Sequence, residues 1–230
     1  MSLYEERKRL EQEDGEPLHT LRLMPDGEVA TRCHGAGVLV VAGEWGVTKS
    51  VEDTLVRPLA EMGYFVVAID LVRGEKPASD EEAAARRAAI DPEIAINDIA
   101  SALLYLKELA GGSLGVFGLD AAAGIAIEAA TRLPQIDCVV TTGGAGPRKG
   151  VKLARTRGSI MVLRGAATSP MTDEVCVEMS KRIEPAMQRF LIHSFDCADG
   201  FFTRPATESE RECASEAFDH ASSFLAQNLI

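Results

Sequence analysis

One stretch of the chain, Ser113–Gly124, combines the pattern of a strand, a sharp turn and a helix with a single acidic side chain. Its sequence, S-L-G-V-F-G-L-D-A-A-A-G, is an apolar run followed by Asp120 and by small residues that open a helix. A strand that turns sharply into a helix needs Gly or Ala around the presented residue, because a larger Cβ would collide across the turn. Gly118, Ala122 and Ala123 meet that need. The spacing predicts that Asp120 stands on this turn, where a nucleophile is presented and strained backbone angles occur.

Two other chemically capable groups follow continuous apolar runs. Glu44 and Trp45, the only Trp of the chain, come directly after G-V-L-V-V-A at Gly37–Ala42, and Arg73 comes after Y-F-V-V-A-I at Tyr64–Ile69. Open α/β sheets bind their ligands at the carboxyl ends of such buried strands. The alternative is structural, with Trp45 packed under a loop and Glu44 capping the next helix.

The elements that must position these residues alternate regularly between strands and helices. Alternating buried strands and helices of ten to fifteen residues indicate a doubly wound, mostly parallel sheet with helices on both faces. Asp26-Gly27 between two alternating runs predicts an antiparallel edge hairpin. The predicted strands are His19–Leu23, Glu28–Cys33, Gly37–Ala42, Tyr64–Ile69, the run before Asp120, Ile136–Thr142, Ser159–Leu163 and Gln188–Phe195, and the predicted helices are Thr48–Met62, Glu81–Ala89, a segment from Pro92 to Gly111, Met171–Ile183 and Thr207–Ala226.

A chain of 230 residues with 46% hydrophobic content can bury the core of one α/β domain, so we expect residues 1–230 to form one domain. The charged residues 1–15 are predicted to be peripheral, with Leu3–Gln12 as a short helix or a disordered segment. The excursion from Glu75 to Pro92 crosses the surface and could roof a pocket. We expect a monomer or a homodimer.

Composition excludes several functions. A net charge of −11 argues against nucleic acid and anionic membranes as partners, because both require an excess of Lys and Arg. Five scattered cysteines without C-x-x-C pairs, and an N-terminus without an apolar leader, favour a reducing, cytoplasmic location. The Gly-rich loop Gly143–Gly150 lacks phosphate-loop spacing, and no other cofactor motif occurs. We therefore expect neither cofactor nor metal.

Four motifs together make the chain resemble the dienelactone hydrolase family of α/β-hydrolases, from about Leu18 to Leu225. The motifs are V-V-A-G-E-W-G at Val40–Gly46, G-Y-F-V-V-A-I-D-L at Gly63–Leu71, the nucleophile elbow F-G-L-D-A-A-A-G at Phe117–Gly124, and D-G-F at Asp199–Phe201. The resemblance implies a Cys–His–Asp triad that cleaves esters or lactones.

Each triad position has changed. Asp120 stands at the nucleophile position, Thr168 lies in the turn where the family has its Asp, and Asp199 stands at the position of the catalytic His. The four histidines, His19, His34, His193 and His220, fall on predicted strands or the last helix and are interpreted as structural or surface residues. No imidazole is therefore expected to serve as the base.

The resemblance also implies a substrate site. Glu44 matches a family Glu beside the nucleophile, and Arg73 and Arg204 resemble arginines that hold a substrate carboxylate. Trp45 and the two neighbours of Asp120, Leu119 and Ala121, are further candidate substrate-binding residues. Glu44, Asp120 and Asp199 would then converge in one pocket, where carboxylates cannot all ionise without a nearby cation.

Three functions remain open at this point. The chain could bind a small molecule, which could carry an anionic group, with little ester hydrolase activity. It could instead be a hydrolase that uses Asp120 as nucleophile or acid/base on a small anionic ester, lactone, halide or epoxide, as related dehalogenases and epoxide hydrolases do with the help of a His base. It could also be a structural or protein-interaction subunit.

Overall fold

The computed structural model describes residues 3–12, 15–183 and 189–229. Its strands are β1 (Leu3–Leu10), β2 (Leu18–Pro25), β3 (Gly37–Ala42), β4 (Phe65–Asp70), β5 (Leu114–Leu119), β6 (Cys138–Thr142), β7 (Ser159–Gly165) and β8 (Phe190–Phe195). They form one sheet in the order β1-β2-β4-β3-β5-β6-β7-β8. Strands β3 to β8 are parallel, while β2 is antiparallel to both β1 and β4. The predicted doubly wound, mostly parallel sheet with an N-terminal antiparallel hairpin is confirmed.

The helices alternate with the strands, and all except the first lie in the predicted places. They are α1 (Gly27–Ala30), α2 (Lys49–Val51), α3 (Arg57–Met62), α4 (Asp80–Ala89), α5 (Pro92–Leu109), α6 (Ala122–Ala130), α7 (Asp173–Ile183) and α8 (Glu208–Leu229). The helix predicted over Thr48–Met62 is interrupted by a π-helical turn at Glu52–Val56. The turn precedes Pro58, which has no backbone N–H to donate to the preceding turn. The first residue of the predicted last strand, Gln188, lies outside the described residues.

Helices cover both faces of the sheet and enclose two cores. On one face, side chains such as Leu55, Leu59 and Phe224 pack against Val38, Val40 and Phe117. On the other face, Ile99, Leu103 and Ile127 pack against Leu39, Val41 and Val116. Because β3 and β5 are buried on both faces, their carboxyl ends hold the following turns rigidly. No described helix has the length and the apolar run that a membrane crossing needs.

The hairpin is built from other residues than the sequence indicates. The segment predicted as its second strand, Glu28–Cys33, instead lies in α1 and a 3₁₀ turn. Asp26 accepts a hydrogen bond from the N–H of Val29 at 3.0 Å, so Asp26-Gly27 begins a helix rather than a tight turn. The predicted strand Glu28–Cys33 was wrong because Asp is common both in tight hairpin turns and at the N-cap of helices.

The charged N-terminal segment is the true partner of β2. Leu3–Leu10, predicted as helical or disordered, forms β1 and pairs with β2 along its whole length. Its charged side chains suit an edge strand, where they oppose pairing with further chains. Arg7, for example, donates to Glu52 at 2.8 Å.

Candidate functional site

Asp120 lies on the turn between β5 and α6, as the spacing predicts. Its φ of +53° is in the left-handed region that non-glycine residues rarely adopt, and its side chain is almost fully buried. The small neighbours are sterically required, because a Cβ on Gly118 would lie 2.8 Å from the Cβ of Ala126. A Cβ on Gly144, in the loop after β6, would lie 1.8 Å from the carbonyl oxygen of Asp120. The predicted elbow is confirmed.

A cavity of about 540 Å³ opens over this elbow at the carboxyl ends of the central strands. Asp120, Thr168 and Asp199 all line the cavity, so the three residues expected at the triad positions of the family lie around one space. The other predicted residues in its wall are Glu44, Trp45 and Ala121.

Two predicted substrate-binding residues lie elsewhere, which corrects those expectations. Arg73 donates to both carboxylate oxygens of Asp98, at 3.0 and 2.9 Å, and to the carbonyl oxygen of Glu16. It lines a separate cavity, and its ion pair with Asp98 on α5 holds it there. Leu119 is 1% exposed and packs in the core, since alternate residues of a strand point to opposite faces.

Arg204 lies at the rim of the site. Its guanidinium stacks on the ring of Trp45, 3.8 Å from the ring centroid, and donates to Asp80 at 2.8 Å. Together with Arg87 and Asp199, these groups line a smaller cavity of about 290 Å³, which shares several residues with the larger one.

Glu44 is 3% exposed and is held from two sides. Its Oε1 accepts from Arg87, at 2.8 Å from Nε and 2.6 Å from a terminal guanidinium nitrogen. Its Oε2 accepts from the backbone N–H of Ala121 at 2.9 Å. The N–H group that follows an elbow nucleophile is the one that stabilises an oxyanion in α/β-hydrolases, and here a carboxylate occupies it.

Among the residues that the structure describes, the side-chain hydrogen-bond partner of Asp120 is neutral. Its Oδ2 accepts a hydrogen bond from the hydroxyl of Thr203 at 2.6 Å. Burial is the main cause that raises the pKa of Asp120 to about 7, with the nearby charges of Glu44 and Asp199 acting in the same direction and the Thr203 hydrogen bond acting against them. Asp120 is therefore substantially protonated at neutral pH.

Asp199 and Thr168 are in direct contact. The backbone N–H of Asp199 donates to Oγ1 of Thr168 at 2.9 Å, and Oδ1 of Asp199 accepts from the N–H of Gly165 at 2.9 Å. Burial raises the pKa of Asp199 above its ordinary value, against the effect of the Gly165 hydrogen bond. The hydrogen bond to Gly165 thus holds the side chain of Asp199 at the end of β7.

None of the four histidines, all of which the structure describes, lines the cavity over Asp120. His193 on β8 and His220 on α8 stack on each other with ring centroids 4.0 Å apart. His19 lies on β2, whereas His34 follows the 3₁₀ turn with a φ of +50° rather than lying in the hairpin. Among the described residues, no group of three His, Cys, Asp or Glu side chains is arranged to hold a metal ion.

Sequence reasoning missed three groups at the site. Arg87 lies on α4, the helix predicted to roof a pocket, but its pairing with Glu44 depends on how that helix packs. Thr203 follows D-G-F by two residues, and its position in the sequence does not predict its hydrogen bond to Asp120. On the far wall, Glu128 is 1% exposed and accepts from Nε of Arg148 at 2.9 Å.

Comparisons with known proteins agree with this architecture. The sequence model of the dienelactone hydrolase family matches residues 26–229. No curated protein sequence matches the chain. The structure resembles one named m3DLH, at a TM-score of 0.82, 17% identity and 99% coverage of both chains.

Two further solved structures are similar over the whole chain. A dienelactone hydrolase-like promiscuous phosphotriesterase from metagenomic libraries has a TM-score of 0.77 at 15% identity, with 100% of both chains covered. A dienelactone hydrolase from Anabaena variabilis has a TM-score of 0.70 at 15% identity, with 99% of both chains covered. At these identities the likeness establishes the α/β-hydrolase fold.

Proposed function

We propose that this chain, which belongs to the dienelactone hydrolase family, binds a small organic molecule in the cavity over Asp120 and has little or no ester or lactone hydrolase activity. The observation that carries the proposal is the 2.9 Å hydrogen bond from the N–H of Ala121 to Glu44. A developing oxyanion would compete with a buried carboxylate for this N–H and would be repelled by its charge. Arg87 holds Glu44 in that position.

The acid–base groups support the same proposal. The raised pKa of Asp120 lowers the fraction of reactive carboxylate at neutral pH, and no imidazole lines the cavity to activate this residue or a water molecule. An acyl-enzyme or alkyl-enzyme formed here would have no evident route to hydrolysis. The remaining capability of the cavity is binding.

The residues that line the cavity over Asp120 support a particular class of ligand. Trp45, Ile125 and Pro170 offer apolar contact, and a volume of about 540 Å³ accommodates a small organic molecule. Arg204 lines the adjoining smaller cavity, and it is the cation proposed for an anionic group because its ion pair with Asp80 joins two exposed side chains and costs little to exchange. We therefore propose a ligand with an apolar body and one anionic group at the rim.

Turnover of p-nitrophenyl esters and of dienelactone tests the hydrolase half of the proposal. We expect less than about one turnover per second, with no loss in Asp120→Ala. Asp219→Ala is the matched control, since Asp219 is an exposed aspartate on α8. Faster turnover that Asp120→Ala abolishes and Asp219→Ala retains would overturn this half.

A thermal-shift screen of small carboxylic acids and neutral compounds tests the binding half. A ligand must raise the melting temperature by mass action, and Ile125→Trp should remove the effect by filling the cavity. Ile94→Trp, on an exposed face of α5, should keep it. A screen in which no compound stabilises the native protein would instead favour a structural or protein-interaction subunit.

A second candidate is a hydrolase in which the carboxylate of Asp120 attacks the carbon of a small halide or epoxide and is itself alkylated. One observation favours it, because Asp120 lines the cavity from the elbow position. Because no imidazole lines the cavity to activate water for hydrolysis of the alkyl ester, this ester should accumulate on Asp120. Incubation with 2-haloalkanoic acids or epoxides, followed by intact mass and peptide mapping, would detect an adduct on Asp120. An unmodified Asp120 rejects this candidate.

A further inference from the structure

A second cavity, of about 350 Å³, lies between the N-terminal hairpin and the loop after β4. Its position follows from strand register. Arg9 on β1 pairs with His19 on β2, and the next residue of β2, Thr20, pairs with Ile69, directly before Asp70. Three adjacent strands therefore deliver Arg9, His19 and Asp70 to one cavity, and the loop after β4 adds Lys76.

The charge of this cavity is opposite to that of the chain. The protein carries a net charge of −11, yet the basic residues in the wall, set against the single carboxyl of Asp70, are Arg7, Lys8, Arg9, Lys76 and His19. The ammonium group of Lys8 lies over the ring of Tyr105, 5.4 Å from its centroid. Arg7 is already bound to Glu52 at 2.8 Å. Within the described part of the chain, Arg9 and Lys76 form no ion pair. Two cations thus face the cavity in addition to His19.

The floor is rigid and partly apolar. Asp70 is 5% exposed and accepts from the N–H of Val72 at 2.9 Å. Gly74 allows the loop after β4 to lie against the ring of His19, because a Cβ there would come within 2.7 Å of Nδ1. Beside these groups, the wall contains Leu21, Val47 and Ala68.

We propose that this cavity binds the phosphate group of a phosphate monoester, with Arg9 and Lys76 as its counter-ions. A phosphate monoester carries nearly two negative charges at neutral pH, which matches two cations that form no ion pair among the described residues, although the charge of Lys76 also acts on Asp70. His19 donates a hydrogen bond to the phosphate, and the organic group lies on Leu21, Val47 and Ala68. The site is separate from the cavity over Asp120 and does not depend on the function proposed for it.

Calorimetric titration with phenyl phosphate, inorganic phosphate and benzoate at constant ionic strength tests the proposal. We expect phenyl phosphate to bind more tightly than inorganic phosphate, and benzoate to bind at least tenfold more weakly than phenyl phosphate. Arg9→Gln and Lys76→Gln should each weaken phenyl phosphate about tenfold, the loss expected for one charge-assisted hydrogen bond. Both residues are exposed, so these variants are expected to fold.

The matched control removes cations from another cleft. Arg155 and Arg157 are exposed and line a third cavity, so the double variant Arg155→Gln/Arg157→Gln changes net charge without touching the proposed site. It should leave the affinity unchanged, as should Asp120→Ala. Absence of phosphate binding, equal weakening by the control pair, or loss of binding in Asp120→Ala would overturn the proposal.

Discussion

Two buried carboxyl groups of this protein differ in how their charge is accommodated. Asp98 on α5 is 3% exposed and receives two hydrogen bonds from the guanidinium of Arg73. Asp120 on the elbow is 8% exposed and receives a hydrogen bond from the neutral hydroxyl of Thr203. The first site pairs its charge with a cation, whereas at the second burial raises the pKa to about 7, so that a large fraction of Asp120 is protonated at neutral pH. The carboxyl without a cationic partner is the one that lines a cavity.

The arginines show the same contrast. Arg73 and Arg204 resemble the same pair of carboxylate-binding residues in sequence, but their side chains are 15% and 51% exposed. Arg73 is committed to a buried acid, while Arg204 pairs with an exposed one. Burial of the partner, rather than residue type, separates a structural arginine from one that a ligand can recruit.

The largest expected effect comes from breaking the buried pair. Arg73→Gln removes the guanidinium that donates two hydrogen bonds to the buried carboxylate of Asp98, and it should lower the free energy of unfolding by about 3 to 5 kcal/mol. Arg204→Gln removes an exposed pair and should lower it by less than about 1 kcal/mol. Urea unfolding of both variants measures the difference.

A double-mutant cycle controls for lost packing. Asp98→Asn in the Arg73→Gln background should recover part of the lost stability, because no charge is then left buried. Equal losses in Arg73→Gln and Arg204→Gln would contradict the contrast between the two arginines.

Local sterics explain which parts of this arrangement the sequence could predict. The elbow around Asp120 was predictable because Gly118 and the two alanines satisfy a requirement set by adjacent residues. The buried strands were equally clear, because continuous β-branched runs such as Gly37–Ala42 have few other uses.

The errors have a common physical origin in contacts between distant segments. Arg73 meets Asp98 only after α5 has packed on the sheet, and Arg87 reaches Glu44 only after α4 has folded over the cavity. The edge strand β1 carries charges because it needs no second apolar face, so its sequence resembles a surface helix. Asp26 could begin either a turn or a helix, and its neighbours did not decide between them.

The second effect is a pH dependence that Asp120 should impose on stability. Its pKa is about 7 in the folded protein and near 4 when unfolded, so the folded state binds more protons between those values. Stability from this group is therefore present below pH 4 and lost as the pH rises through 7. Relative to the native protein, Asp120→Asn should gain at most about 4 kcal/mol from pH 4 to pH 8.

Asp120→Asn is a suitable probe because Asn tolerates the left-handed backbone of the elbow. Urea unfolding at several pH values gives the difference, and other titrating groups largely cancel between the two proteins. Asp219→Asn, at an exposed position, should show a flat difference. A flat difference in Asp120→Asn as well would mean that Asp120 ionises normally.

A smaller effect is expected from the hydroxyl that supports Asp120. Thr203→Val keeps the shape of the side chain but removes the donor, which should cost about 1 to 2 kcal/mol at pH 8. Because this hydrogen bond lowers the pKa of Asp120, its loss should move the midpoint of the pH dependence upward. Thr203→Ser retains the hydroxyl and should preserve the midpoint, and an unmoved midpoint in Thr203→Val would argue against the contact.

Arg204→Gln should have the smallest effect on stability and the clearest effect on ligand binding. If a ligand's anionic group exchanges with Asp80 on Arg204, small carboxylic acids should raise the melting temperature of the native protein but not of Arg204→Gln, although the two unliganded proteins differ little in stability. Arg73→Gln should keep the full shift from its lower starting temperature, because Arg73 lines a different cavity. The opposite pattern, with the shift lost in Arg73→Gln and kept in Arg204→Gln, would reverse the roles assigned to the two arginines. A shift kept in both variants would mean that Arg204 does not bind the anionic group. Arg87, which lines the smaller cavity with Trp45, would then be the candidate cation.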